Sequence, residues 1–248
     1  MLSKIIGVGN KIELTRVSQV ADRDTNNLTG ENGKKVLVSQ VYDILDEDRL
    51  KIAIPSESGK IVLLPNNTRI DACFYTTNGL YQGRFIIVDR YKEGNLLVQV
   101  VELINELTKY QRRQYFRLSC TMSIKYVPID EKQFEEYSKE KNILEKIDEQ
   151  EAITAVALDI SGGGMRFVSK SRHEKNNFIA VSLGIEYTQK IKKYGILAKV
   201  INVSTSKNNS VLYEHRIEFC NLDGNEREEI IKYIFDEERK RRKKESGQ

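Results

Sequence analysis

At 248 residues the chain is long for one domain and comfortable for two. Hydrophobic residues at 40% against 31% charged describe a soluble globular protein with enough apolar side chains for real cores. The net charge of +4 is too mild to argue by itself for a nucleic-acid binder, and no apolar run approaches the roughly 18 to 20 residues that span a bilayer. The N-terminal MLSKIIGVGNKIEL has neither a long apolar region nor a small-residue cleavage site, so no signal peptide is expected. Cys73, Cys120 and Cys220 are far apart and lack CxxC spacing, and His173 and His215 are the two histidines. That inventory argues for free thiols in a reducing cytoplasm and against a zinc cluster or a histidine-based catalytic site.

From Lys11 to about Leu103 the sequence is a series of short apolar alternations. Strands are predicted over 35–45, 50–54, 60–64, 68–76, 80–91 and 95–101, separated by turn residues. Asn78-Gly79, between FYTT and LYQGRFIIV, is the strongest hairpin signal, and it predicts a type I′ turn with positive φ at both residues. Short strands at close spacing with no helix between them predict a small antiparallel barrel or split barrel.

Thr108 to Cys120, TKYQRRQYFRLSC, carries Arg112, Arg113 and Arg117 interleaved with Tyr110, Tyr115 and Phe116. If it is extended, Arg113 and Arg117 lie on one side of the chain. Two guanidinium forks on one side suit a planar anion, because arginine pairs with phosphate bidentately and stacks on flat rings. A basic linker is the plainer reading of the same residues.

Arg117 to Val127 alternates as a strand and ends at Pro128. A charged segment, Asp130 to Gln150, has Phe134, Tyr137, Leu144 and Ile147 at helical spacing and predicts a helical insertion capped by Asp130. Strands follow at 153–159, 165–168, 178–185, 188–202 and 211–219, with a sharp turn at Ile160 to Gly164. A C-terminal helix from Glu226 to about Arg242, with Asn225 as N-cap, closes a barrel of six or seven strands. The run RKRRKK from Arg239 to Lys244 reads as a solvated tail, with anionic lipid or an acidic partner surface as the sharper alternative.

Asp159-Ile160-Ser161-Gly162-Gly163-Gly164 places polar turn-formers and three glycines between two strands. Glycines let a backbone approach a ligand closely, an Asp can accept from a guanine's N1–H and exocyclic amine, and a Ser can bond a phosphate or orient the loop. A plain hairpin turn explains the same stretch when it is taken alone.

Together the two stretches resemble the PilZ domain, the receptor domain for the bacterial second messenger cyclic di-GMP. The family's RxxxR is matched by Arg113-Gln114-Tyr115-Phe116-Arg117 and its (D/N)xSxxG by Asp159 to Gly164. The β-rich first half followed by such a domain is similar to the YcgR-type flagellar brake architecture. The expected fold is therefore mainly β: an N-terminal split barrel over 1–106, a linker over 107–112, a PilZ barrel over 113–238 with a short helical insertion and a C-terminal helix, and a basic tail over 239–248.

The resemblance implies that Arg113 and Arg117 engage the phosphates and guanine edges of cyclic di-GMP. It implies that Asp159 and Ser161 contact a guanine and its phosphate, and that Gly164 permits the turn. Arg112 is an extra cation that would suit a stacked ligand dimer. The implied protein is a cytoplasmic receptor and not an enzyme, with no metal and no cofactor beyond that ligand. Ligand would order the inter-domain arginines and reorient the domains. The implied partner is a stator or rotor protein of the flagellar motor, with recruitment to the basal body, peripheral contact with membrane-associated machinery, and no DNA. Control of exopolysaccharide synthesis or secretion is the alternative output. A constitutive protein-contact module and a barrel binding single-stranded nucleic acid through Tyr110, Tyr115, Phe116 and the basic tail are the rival classes.

Overall fold

In a computed structural model the structure describes residues 2–17, 35–140, 142–148, 150–187, 190–206 and 209–246. The chain divides into two compact units, Met1–Arg112 and Arg113–Gln248.

The first unit is built from β1 (Lys11–Arg16), β2 (Val36–Ile44), β3 (Arg49–Ala53), β4 (Ser56–Glu57), β5 (Lys60–Ile61), β6 (Arg69–Thr76), β7 (Gly79–Glu93), β8 (Leu96–Leu103) and β9 (Thr108–Tyr110). Six of these pair in the order β1-β6-β7-β8-β3-β2, and β2 pairs back onto β1 to close the ring. β1 lies in the alternating region but outside the six strands assigned from sequence, and it is the strand that closes the barrel. Alternation puts Ile12, Leu14, Leu37, Val41, Ile70 and Phe74 into one core.

Three local expectations need correction here. Only Lys60–Ile61 of the 60–64 segment is strand. In the β6–β7 hairpin Thr76 pairs with Gly79, so Thr77 and Asn78 form the loop and only Gly79 takes positive φ, at +114°. A type I′ turn needs two such residues, and one glycine supplies a different connection. Part of the expected 107–112 linker is strand β9, antiparallel to β7.

The second unit is a closed barrel in the order β10-β11-β12-β15-β14-β13. Its strands are β10 (Arg117–Ile129), β11 (Ile153–Ser161), β12 (Gly164–Ser169), β13 (Phe178–Tyr187), β14 (Lys190–Thr205) and β15 (Tyr213–Phe219). The 188–202 strand prediction begins on Thr188 and Gln189, which lie outside the described residues. β10 runs past its expected end, since Pro128 keeps its place opposite Ile179.

The insertion is only in part the helix that was expected. Helix α1 (Glu131–Tyr137) is followed by a 3-10 turn at Ile143–Lys146. Asp130 does cap α1: it accepts from the Gln133 N–H at 2.7 Å while the Gln133 side chain accepts from the Asp130 N–H. The insertion lies on the barrel wall, with Ile143 and Ile147 against Ala180 and Leu197, and Phe134 stacked on Phe178 at 4.2 Å.

Helix α2 (Gly224–Glu245) is capped by Asp223, which accepts from the Glu226 N–H at 2.7 Å, so the cap is not the Asn225 that was expected. Ile230 and Ile234 of α2 are buried in the barrel core, each contributing roughly 2 kcal/mol of apolar burial. The basic run is the last turns of this helix and not a separate tail. Lys240, Arg241 and Arg242 pair with Glu237, Glu245 and Glu238 at 2.6, 3.2 and 2.9 Å, and Arg239 pairs with Asp236. Pairs at three- and four-residue spacing satisfy the first four cations of the run within their own helix.

Candidate functional site

Cross-strand register brings the two sequence motifs together. Leu118 and Ile160 point into the core, so their neighbours Arg117, Ser119, Asp159 and Ser161 share the opposite, outer face of the ladder. Arg117 stands directly opposite Ser161, and Ser119 opposite Asp159. On the far side of β11, Ser161 pairs with Gly164 and Asp159 with Arg166, and Arg166 in turn pairs with Arg216 of β15. Two adjacent rows therefore cross the barrel wall: Arg117, Ser161, Gly164, Glu218, and beside it Ser119, Asp159, Arg166, Arg216. Register shifts on both sides of Leu158 mark a bulge next to Asp159, a device that re-aims a side chain at the edge of a site.

The electrostatics centre on a residue that motif matching passed over. Arg166 donates from Nε to Asp159 at 2.6 Å and from Nη1 to Glu214 at 3.2 Å. Its hydrogen bond to Asp159 raises the guanidinium pKa against the opposing effect of burial. One arginine thus fixes both oxygens' surroundings on the wall, with Arg216 joining Glu214 at 3.6 Å. The signal for Arg166 was present in MRFV, whose alternation puts Arg166 outward beside Asp159 once the hairpin register is known. Burial, and then the neighbouring Asp159 charge, push the Cys120 thiol up to about 11, which keeps it protonated and unreactive at neutral pH.

Ser161 is buried and its hydroxyl donates to the Gly164 carbonyl at 3.0 Å, a bond that orients the loop. The sharp turn is confined to Gly162 and Gly163, because Ser161 still belongs to β11 and Gly164 already to β12. None of the three glycines has positive φ. Gly164 is needed for a different reason: a Cβ there would stand 2.2 Å from the Ile217 carbonyl oxygen of the neighbouring strand.

Arg113 lies in the irregular segment before β10, so the extended geometry that would put it on one strand side with Arg117 is not formed. Arg112 belongs to the first unit. Its guanidinium lies 5.2 Å from the Tyr75 ring centre and 3.3 Å from the Glu13 carboxylate. Burial opposes charge on Glu13, but hydrogen bonds from Tyr75 and Lys11 and the Arg112 charge hold its carboxyl below the usual range. Burial, then the Glu13 carboxylate, push Tyr75 up to about 12.

The PilZ domain family model matches residues 111–236, which spans both motifs and the whole closed barrel. The chain belongs to the PilZ domain family. A second family model, Flagellar protein YcgR, matches residues 7–102, so the PilZ barrel follows a YcgR-type N-terminal domain. Among solved structures the chain is similar to the Bacillus subtilis inhibitor of motility MotI/DgrA, at 17% identity and a TM-score of 0.72, covering 96% of this chain and 100% of that one. It is also similar to Escherichia coli YcgR in complex with c-di-GMP, at 15% identity and a TM-score of 0.49, covering 96% of this chain and 88% of that one. At these identities the likeness is one of fold. No curated protein sequence matches the chain. Among the described residues no helix is long and apolar enough to cross a membrane.

Proposed function

We propose that the chain is a cyclic di-GMP receptor, and not an enzyme, that restrains flagellar motility. The observation that carries the reading is the register of the PilZ barrel, which sets Arg117 opposite Ser161 and presents Asp159 on the same outer face. Arg117 and Arg113 take the phosphates and guanine edges through bidentate contacts that only the guanidinium fork makes. Asp159, already oriented by Arg166, accepts from a guanine's N1–H and amine. Ser161 and Gly164 hold the turn that frames the ligand. Arg112 is an added ligand contact that first has to leave Glu13 and Tyr75. Drawing it from the first domain orders the arginine segment and reorients the two domains, and ligand can bias that equilibrium only by its differential affinity for the two arrangements.

The motility output is supported by the YcgR-type model over residues 7–102 and by the fold shared with an inhibitor of motility. A flagellar stator or rotor component is the partner this reading names.

Calorimetry of cyclic di-GMP on the wild type and on Arg113→Ala, Arg117→Ala and Asp159→Ala tests the site. Micromolar or tighter binding by the wild type, weakened about tenfold or more in each variant, is expected. Binding that survives all three substitutions unweakened would sink the site assignment, and no binding by the wild type would sink the receptor reading. A pull-down of motor components with and without ligand tests the output.

A further inference from the structure

The arginine segment carries an aromatic ring seated on the glycine turn. Tyr115, midway between Arg113 and Arg117, packs so closely there that a Cβ on Gly162 would stand 2.8 Å from its Cδ1, and one on Gly163 would stand 2.9 Å from its Cδ2. Helix α2 closes the other side. The Arg227 guanidinium lies 5.6 Å from the Tyr115 ring centre and donates to the Gly162 carbonyl at 2.6 Å and the Leu222 carbonyl at 3.1 Å. Next in sequence, Phe116 stacks on Phe235 of α2 with ring centres 5.8 Å apart and planes 21° apart, although both residues are a little under half exposed.

Gly162 and Gly163 therefore answer a question the motif leaves open. They fill the two unspecified positions between its serine and its last glycine and adopt no backbone angle that requires glycine. What requires glycine is the space taken by Tyr115 and, at Gly162, by Ile231 of α2. Two contacts on consecutive residues, one to the turn and one to the helix, fasten the segment between the two arginines to the wall that bears Asp159 and Ser161.

We infer that Tyr115, seated on Gly162–Gly163 and covered by Arg227, is the positioning residue that holds Arg113 and Arg117 in place for the ligand. This inference rests on the receptor reading above. Held in place, the two arginines lose less freedom when an anion binds, and preorganisation of that kind appears as affinity. The seat also ties the ligand segment to α2, so displacement of Tyr115 or Phe116 reaches the helix directly through Arg227 and Phe235.

Gly163 gives the cleanest test, because the atoms near its added Cβ belong to Tyr115 alone. The test is a cycle of wild type, Gly163→Ala, Tyr115→Ala and the double variant, with Arg227→Lys alongside, all in the full chain. Two quantities are read: amide hydrogen exchange of residues 111–117 without ligand, and the Kd for cyclic di-GMP by calorimetry. Thermal melts confirm that each variant is folded. Gly163→Ala is expected to speed exchange and weaken binding about tenfold in the wild-type background and to change neither in the Tyr115→Ala background. Arg227→Lys, which loses the planar fork and the ring contact but keeps the charge, is expected to move both readouts the same way. Equal effects of Gly163→Ala in both backgrounds, or none in either, overturn the seat. Faster exchange with unchanged Kd overturns the positioning role. If the wild type binds no cyclic di-GMP, the receptor reading and the positioning role fall together, and the exchange cycle alone then decides whether the seat exists.

Discussion

Ser161 stands directly across the β10–β11 ladder from Arg117 while its hydroxyl is donated to the Gly164 carbonyl 3.0 Å away. The serine braces the hairpin and, in the proposed receptor, the arginine faces the ligand, so the two substitutions should separate. Arg117→Ala is expected to weaken cyclic di-GMP binding by about tenfold or more, as loss of a charge-assisted contact does. Ser161→Ala is expected to cost about 1 kcal/mol of stability and only a few-fold in affinity. Urea unfolding and calorimetry read the two effects. An affinity loss for Ser161→Ala as large as that for Arg117→Ala, at unchanged stability, would show the hydroxyl touching ligand.

Arg166 bridges Asp159 and Glu214, and its side chain is one-third exposed while the two carboxylates are mostly covered. Arg166→Ala removes the cation that those two carboxylates share. The expected result is about a tenfold weaker Kd for cyclic di-GMP. In a double-mutant cycle with Asp159→Asn the losses should not add, because Arg166 acts through Asp159. Additive losses in calorimetry would mean that Arg166 reaches the ligand on its own.

Gly195 and Gly164 are both jammed against backbone, with different consequences. A Cβ on Gly195 would stand 2.5 Å from the Leu144 amide nitrogen of the insertion, whereas one on Gly164 would meet the barrel strand β15 itself. Gly195→Ala should lift the 3-10 turn off the wall, speed tryptic cleavage at Lys146, and leave cyclic di-GMP affinity unchanged. Gly164→Ala should destabilise the barrel by about 3 kcal/mol or more, since a carbonyl within a sheet has nowhere to move. Limited proteolysis and unfolding curves distinguish the two.

His215 is fully buried, stacks on Phe167 at 4.9 Å, and accepts from the His173 N–H through Nε2 at 3.2 Å. Burial first, then His173, lower its pKa from 6.5 to about 4. Between those values the unfolded chain binds a proton that the folded chain does not. The His215 contribution to stability is therefore full above 6.5, falls as the pH drops towards about 4, and levels off below it. The expected loss is on the order of 3 kcal/mol across that window, of which about 2 kcal/mol falls between pH 7 and pH 5. Denaturant midpoints at pH 7 and pH 5 check it, and His215→Gln, which keeps an acceptor for the His173 N–H, should show a shallower slope.

By itself the sequence determined the fold class, the two β-rich halves, most strand positions and both PilZ motifs. Alternation and turn chemistry are local, and a barrel wall writes its inside and outside into every second residue. Asp130 was legible as a cap for the same reason, through the capping partner three residues on. Tertiary structure decided what depends on residues distant in the chain. It chose β1 to close the first barrel, moved the α2 cap to Asp223, and turned the basic tail into paired helix. It placed Arg112 with Glu13 and Tyr75, fixed Asp159 through Arg166, and gave the three glycines their reasons: Ile217 of another strand for Gly164, and Tyr115 for Gly162 and Gly163. A motif records which residues a site needs, but the space beside a glycine and the partner of a carboxylate are set by atoms that only folding brings near.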